Sequence, residues 1–381
     1  MNAKRRLSSR KPSVQTHSVD RHHRSAGFTL VEILVVIVII GILMGLAVPA
    51  IFSAVSTAKS TAMKMELNTI EAAIEKYQEK YGDYPPDFSD WAVVERHYRK
   101  LFPRATNDIQ LLKGQICDAA GDIDPSKFDR SEVIPWVLRG YSSDPLHPFT
   151  GPGGPWIAGP AGDTVVGIQP QPDNGLFEFD PSRLDLKQVG AGYISESKVE
   201  KVAGNIPKRD FFLSYAASDQ TPTPLVYFDS RTYENYSNYG FNGYGKLSTG
   251  AVRPYMANLP EPGTMKNTFM NPHSFQIISP GLDGNFGLLS KNLGTTITAY
   301  EEVANPNYPG NGITGNAVFF IYPTGKAMAV SKVSPPQNYE WGLLDSVSRY
   351  HEPSQFNAVD NAQQDNLTNF ADGKLIDELQ E

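Results

Sequence analysis

From Phe28 to about Val55 the chain is apolar almost without a break; the exceptions are Glu32 and a few small hydroxyl residues. Roughly 20 residues of helix cross a bilayer core, so this run is long enough to span one. After Pro49 the pattern becomes periodic. Met63, Leu67, Ile70, Ile74, Tyr77 and Tyr81 lie 4, 3, 4, 3 and 4 residues apart, which sets them on one helical face. Lys64, Glu66, Glu71, Glu75, Lys76 and Glu79 fill most of the remaining surface. Gly82 is a helix stop, and Pro85-Pro86 opposes continuation. The spacing predicts one helix over Phe28–Tyr81, about 80 Å long at 1.5 Å per residue. Its residues 28–52 form the membrane or filament part, and Pro49, Gly41 and Gly45 are places where it can bend.

Residues 82–143 read as helices and loops, with "DWAVVERHYRKLFP", "NDIQLLKGQI" and "SEVIPWVLRGY" as the helical stretches. From 144 to 340 glycine and proline become frequent and strand-like runs appear: "TVVGIQ", "GLFEFD", "DFFLSYAA", "PLVYFD", "SFQIISP" and "NAVFFIYP". The expected class is α+β, a long N-terminal helix packed on an antiparallel sheet domain with long loops. The Tyr-rich "RTYENYSNYGFNGYG" reads as a surface loop, with partner or glycan binding as the functional alternative. Residues 341–381 read as a polar tail, ending in a short helix or mobile.

Charge sharpens this division. Residues 1–27 carry seven basic side chains against Asp20 alone, a net of +6, which leaves −13 for the rest of a chain whose total is −7. An acidic body is a poor nucleic-acid binder, and a basic segment beside an apolar run orients it with the basic side in the cytoplasm. The one cysteine, Cys117, cannot form an internal disulfide.

A cleaved secretory signal has an apolar core of about 7–15 residues, shorter than this run, and "GLAVPA" is a weak cleavage site. Arg5-Arg6 stands too far upstream for a twin-arginine signal. An uncleaved anchor fits the length but gives no reason for Glu32, since a carboxylate at membrane depth costs a few kcal/mol unless paired. The stretch "GFTLVEILVVIVIIGILMGLAVP" closely resembles the N-terminal signature of type IV pilins and type II secretion pseudopilins. The resemblance implies that a prepilin peptidase cuts between Gly27 and Phe28 and methylates the new Phe28 amine. Glu32 then becomes the fifth mature residue, the position of the family's Glu, which neutralises a neighbouring subunit's amine in the filament. Pro49 falls where pilins often have a bending proline. Also implied is a single-pass inner-membrane protein with a cytoplasmic N-terminus and a periplasmic body. Its partners would be other copies, minor pseudopilins, the prepilin peptidase and the secretion platform.

"SPGLDGNFG" at 279–287 resembles the calcium loop of major pseudopilins, where the ion takes the place of a disulfide. On that resemblance Ser279 and Asp283, with Asn285 and Asp229 behind them, are the calcium ligands; the same letters also describe a plain Asp-Gly turn. No histidine pair has zinc spacing, and no nucleophile elbow or phosphate loop is present, so the sequence predicts no enzyme. The leading expectation is a type II secretion pseudopilin. The alternatives are a type IV pilus or surface-fibre subunit, acting in adhesion, motility or DNA uptake, and a membrane-anchored glycan- or partner-binding protein.

Overall fold

The computed structural model describes residues 28–124, 127–162, 164–169, 172–185, 211–233, 244–246, 250–258, 268–284, 286, 317–323, 326–333, 338–348 and 365–375. The chain divides into two compact units, Met1–Ala54 and Val55–Glu381. Helix α1 (Leu30–Tyr81) supplies all the described structure of the first unit apart from Phe28 and Thr29. Every side chain from Phe28 to Val55 is exposed, among them a run of leucines, isoleucines and valines. The helix is assigned without interruption through Pro49 and is long and apolar enough to cross a membrane.

In the second unit the same helix becomes one-sided. Met63, Leu67, Ile70, Ile74 and Tyr77 are buried as the spacing predicts, together with Ser60 and Ala73. Polar ties flank this stripe. Glu66 receives two hydrogen bonds of 2.8 Å from Arg183 Nη1 and one of 2.6 Å from the Tyr215 hydroxyl. Lys64 donates to the Thr368 carbonyl at 2.7 Å, and Asn369 Nδ2 donates to Glu71 at 3.2 Å. The helix ends at Gly82, whose φ of +74° is open to glycine at little cost; its N–H closes the last turn on the Gln78 carbonyl.

All three helical stretches read in 82–143 are present, as α2 (Trp91–Leu101), α3 (Thr106–Ile116) and α4 (Val133–Leu138). Asp90 caps α2 by accepting from the Ala92 N–H. The connecting turn is fixed by charge. Arg231 donates to Asp83, to Asp229 and to the Tyr84 carbonyl, while Asp87 accepts from Arg130 and from the Thr232 hydroxyl. The Tyr227 hydroxyl holds the Pro85 carbonyl at 2.9 Å.

The single sheet expected from the sequence is instead several small antiparallel ones. The hairpin β1 (Trp156–Ala158) and β2 (Val165–Ile168) is separate. A second sheet joins β3 (Leu184–Asp185), β4 (Ser214–Ser218) and β5 (Thr221–Pro224). The central sheet has the order β13-β9-β6, with β6 at Val226–Asp229, β9 at Phe275–Ser279 and β13 at Leu367–Thr368. A small helix α5 (Ser230–Tyr233) follows β6, and β7 (Tyr244–Lys246) pairs with β8 (Gly250–Val252). Strands β10 (Ala317–Ile321), β11 (Lys326–Val333) and β12 (Asn338–Ser348) make the last sheet.

Four expectations change. "GLFEFD" is not a strand; Phe177 and Phe179 pack edge-on without ladder bonds. The boundary drawn at residue 340 falls inside β12. Within the polar tail, residues 365–375 are not loose: Leu367, Thr368, Ala371 and Leu375 are buried, and β13 pairs with β9, while the end of the tail at 376–381, the place of the expected short helix, lies outside the described residues. The Tyr-rich stretch does not begin as a surface loop. Arg231 and Thr232 are tied inward, and the buried Tyr233 donates to the Asn271 carbonyl; residues 234–243 lie outside the described residues.

Candidate functional site

The helix start is the first candidate. Thr29 precedes the first helical residue, and its hydroxyl accepts the Glu32 N–H at 3.2 Å. Glu32 reaches back: its Oε2 accepts from the Thr29 N–H at 2.7 Å and from the Thr29 hydroxyl at 2.9 Å. This is a reciprocal cap of the Ser/Thr-x-x-Glu kind, which satisfies helix-end donors otherwise left open. Glu32 therefore serves its own helix start. Both Thr29 bonds fall on Oε2, and no hydrogen bond is described for Oε1. Phe28 is 81% exposed, so the bond that precedes it is not buried on the Phe28 side; Gly27 lies outside the described residues. Thr29 is the residue that sequence reasoning passed over, although "TLVE" spells the capping signature three residues apart.

The second candidate is the loop after β9, and its geometry corrects the proposed ligand set. Asp229 is not part of it. In the β6–β9 register Asp229 faces Phe275 while Val226 faces Ile278. That separates Asp229 from Ser279 by about four residues of strand, some 13 Å at 3.3 Å each. Asp229 is buried against Arg231 Nε at 2.7 Å. Burial, and then the like charge of Asp87, push its carboxyl up to about 7 against the pull of Arg231. Asn285 lies outside the described residues. Ser279 is buried at the start of the loop and Asp283 is exposed on it.

The carboxylate that meets this loop comes from the far end of the chain. Asp365 Oδ2 accepts from the Leu282 N–H at 2.7 Å and the Asp283 N–H at 3.3 Å. Gly281 has φ +71°, and a Cβ there would stand 2.4 Å from the Asp365 carbonyl oxygen, so the clasp requires glycine. Asn366 Nδ2 donates to the Phe286 carbonyl. Two buried oxygens beside the loop, Asp365 Oδ1 and Asn366 Oδ1, have no hydrogen-bond partner. Burial raises the Asp365 pKa, and the Leu282 and Asp283 N–H groups oppose it. Orphaned oxygens suit a hard cation, yet no group of three His, Cys, Asp or Glu converges among the described residues. Asp365 stands 82 residues from Asp283, so no local spacing reveals it.

Cys117 is buried, and burial first of all pushes its thiol up to about 11. It is an inert core position rather than a nucleophile.

The model of the family described as the prokaryotic N-terminal methylation motif matches residues 22–48. No curated protein and no solved structure matches the chain. The matched segment includes Gly27, Phe28 and Glu32 and the apolar start of α1, and such a motif implies processing by a prepilin peptidase and assembly with other subunits. The chain thus carries the N-terminal methylation motif of type IV pilin-like proteins at the head of a long apolar-to-amphipathic helix, with an α+β body after it.

Proposed function

We propose that the protein is a type II secretion pseudopilin, a non-catalytic structural subunit of a short periplasmic filament that supports protein export. The observation that carries this reading is Glu32. It is the one charged residue in the apolar segment, held at the helix start with one oxygen engaged on Thr29. A neighbouring subunit's methylated Phe28 amine is a positive charge of the right kind to meet the other oxygen, because an ion pair offsets the cost of a carboxylate in an apolar filament core. Before assembly the helix lies in the inner membrane, with the basic residues 1–27 cytoplasmic and the body periplasmic.

Mass spectrometry of the membrane-extracted protein tests the reading. The mature chain is expected to begin at methylated Phe28. Glu32→Val is expected to insert normally and to be lost from crosslinked oligomers. Peptides spanning Gly27-Phe28 in the mature pool, or normal oligomers from the Val variant, would overturn it.

We also propose calcium as the ion of the loop after β9, held by Ser279 and Asp283 with Asp365 and Asn366, where it would supply the positive charge that the orphaned oxygens lack. At 100 times its dissociation constant a ligand adds about 2.7 kcal/mol. The detergent-solubilised protein is therefore expected to melt a few degrees higher in calcium than in chelator. Asp365→Asn is expected to remove the difference. Identical melting curves, with no metal found by elemental analysis, would return the loop to a plain turn.

A further inference from the structure

The corner where α1 ends and α2 begins buries an ionisable side chain that neither assembly nor the loop after β9 uses. His97 is on the inner face of α2 and its side chain is 0% exposed. Its ring stacks on Tyr77 of α1, with centroids 5.8 Å apart and planes 12° from parallel, and meets Tyr98 edge-on. Nε2 lies 2.8 Å from the Tyr77 hydroxyl oxygen. Nδ1 is buried without a hydrogen-bond partner. It faces Asp83 Oδ2 at 3.7 Å, beyond hydrogen-bond length, and that oxygen already accepts from Arg231 Nη1 at 2.8 Å.

The charges around the ring come from every element at this corner. Asp83 is in the turn, Arg231 is on α5, and Lys100 is on α2 with its ammonium on the Gly82 carbonyl. Asp229 lies behind Arg231 at the end of β6. The phenols of Tyr77 and Tyr98 are fully neutral in the physiological range, since burial first of all raises both. Two cations and a carboxylate already committed to one of them make a poor setting for an imidazolium.

We propose that His97 is an acid-operated latch, whose protonation loosens α2 from the last turns of α1. A proton on the ring places a third cation beside Arg231 and Lys100 at a fully buried position. It also makes the ring compete with Arg231 for Asp83, one of the residues through which the turn is tied to α5. The stacking of Tyr77 on His97 and the edge contact of Tyr81 with Phe102 are what the latch keeps closed.

The sign follows from the neutral state being the buried one. Burial, the largest cause, holds His97 below the usual histidine range; Asp83 pulls the other way, and Arg231 and Lys100 add to the burial effect. Stability from this corner is then fully present above the open-state pKa of about 6.5 and is lost as pH falls toward the folded value. Over that interval the opening constant rises by up to roughly tenfold per pH unit.

Amide hydrogen exchange on the full-length protein in detergent micelles, corrected for intrinsic rates, tests this at pH 7 and pH 5. Protection of Trp91–Leu101 is expected to fall in the unmodified protein, by no more than roughly tenfold per pH unit. His97→Gln, which keeps a donor for the Tyr77 hydroxyl but cannot be charged, is expected to show no such fall. Exchange at the histidine C2 position, followed by mass spectrometry on the unmodified protein, gives the His97 midpoint even if that variant does not fold. A midpoint at or above about 6.5, unchanged protection at pH 5, or an equal loss in His97→Gln would each overturn the latch.

Discussion

Residues 30–54 and 55–81 belong to one helix and treat their apolar side chains in opposite ways. In the first stretch none is buried; in the second, Met63, Leu67, Ile70, Ile74 and Tyr77 are closed off against the body. The polar groups differ in the same sense. Glu32 is answered three residues away by Thr29, whereas Glu66 is answered by Arg183, 117 residues on, and Lys64 by Thr368, 304 residues on. A contiguous exposed apolar surface of this extent marks a site for lipid or another protein. The second stretch has found its partner within the chain; the first has to find one outside it.

The contrast can be broken by matched substitutions. The largest effect is expected from Ile70→Ala, which empties a fully buried position and should cost the body about 2–5 kcal/mol. The counterpart Ile37→Ala should leave the melting of the detergent-solubilised body within about 0.5 kcal/mol. Equal losses from both would erase the distinction. Next comes Glu66→Ala, which removes the acceptor of Arg183 Nη1 and of the Tyr215 hydroxyl and should cost about 1.5–3 kcal/mol by denaturant titration. Glu32→Ala is expected to leave that titration unchanged and to act on oligomers and on the first helical turn.

Asn369→Ala removes the acceptor for the Ile277 N–H and the donor to Glu71, and should cost about 1–2 kcal/mol. It sharpens the comparison by testing whether the C-terminal segment belongs to the helix-bound body. The smallest effect is expected from Thr29→Val. Losing the N-cap costs about 1 kcal/mol locally. It should speed amide exchange over the first turn and leave the body's melting point where it was.

What the sequence disclosed follows the same line. The α1 stripe, its end at Gly82 and the helices at 91–101 and 106–116 depend on neighbours three and four residues apart, and periodicity reports such neighbours. Strands β6, β9 and β10 showed as apolar runs. Strand β13 did not, because "LT" in a polar stretch has no pattern of its own and is held by distant partners in β9 and α1. Asp229 was misplaced for a related reason: a carboxylate after an apolar strand reads as a ligand, and its commitment to Arg231 and burial beside Asp87 are tertiary facts. Asp365 escaped notice because its contact is 82 residues away.

The seating of β13 also sets an order of events. Until residue 368 is available, β9 lacks one neighbour, Lys64 lacks its carbonyl and the turn at Gly281 lacks Asp365. Contacts of such sequence separation form late, because the chain entropy of closing them must be met before they contribute. The body therefore closes only once residues 365–375 are in place. A chain that stops short of Asp365 leaves a sheet edge and a helix flank open.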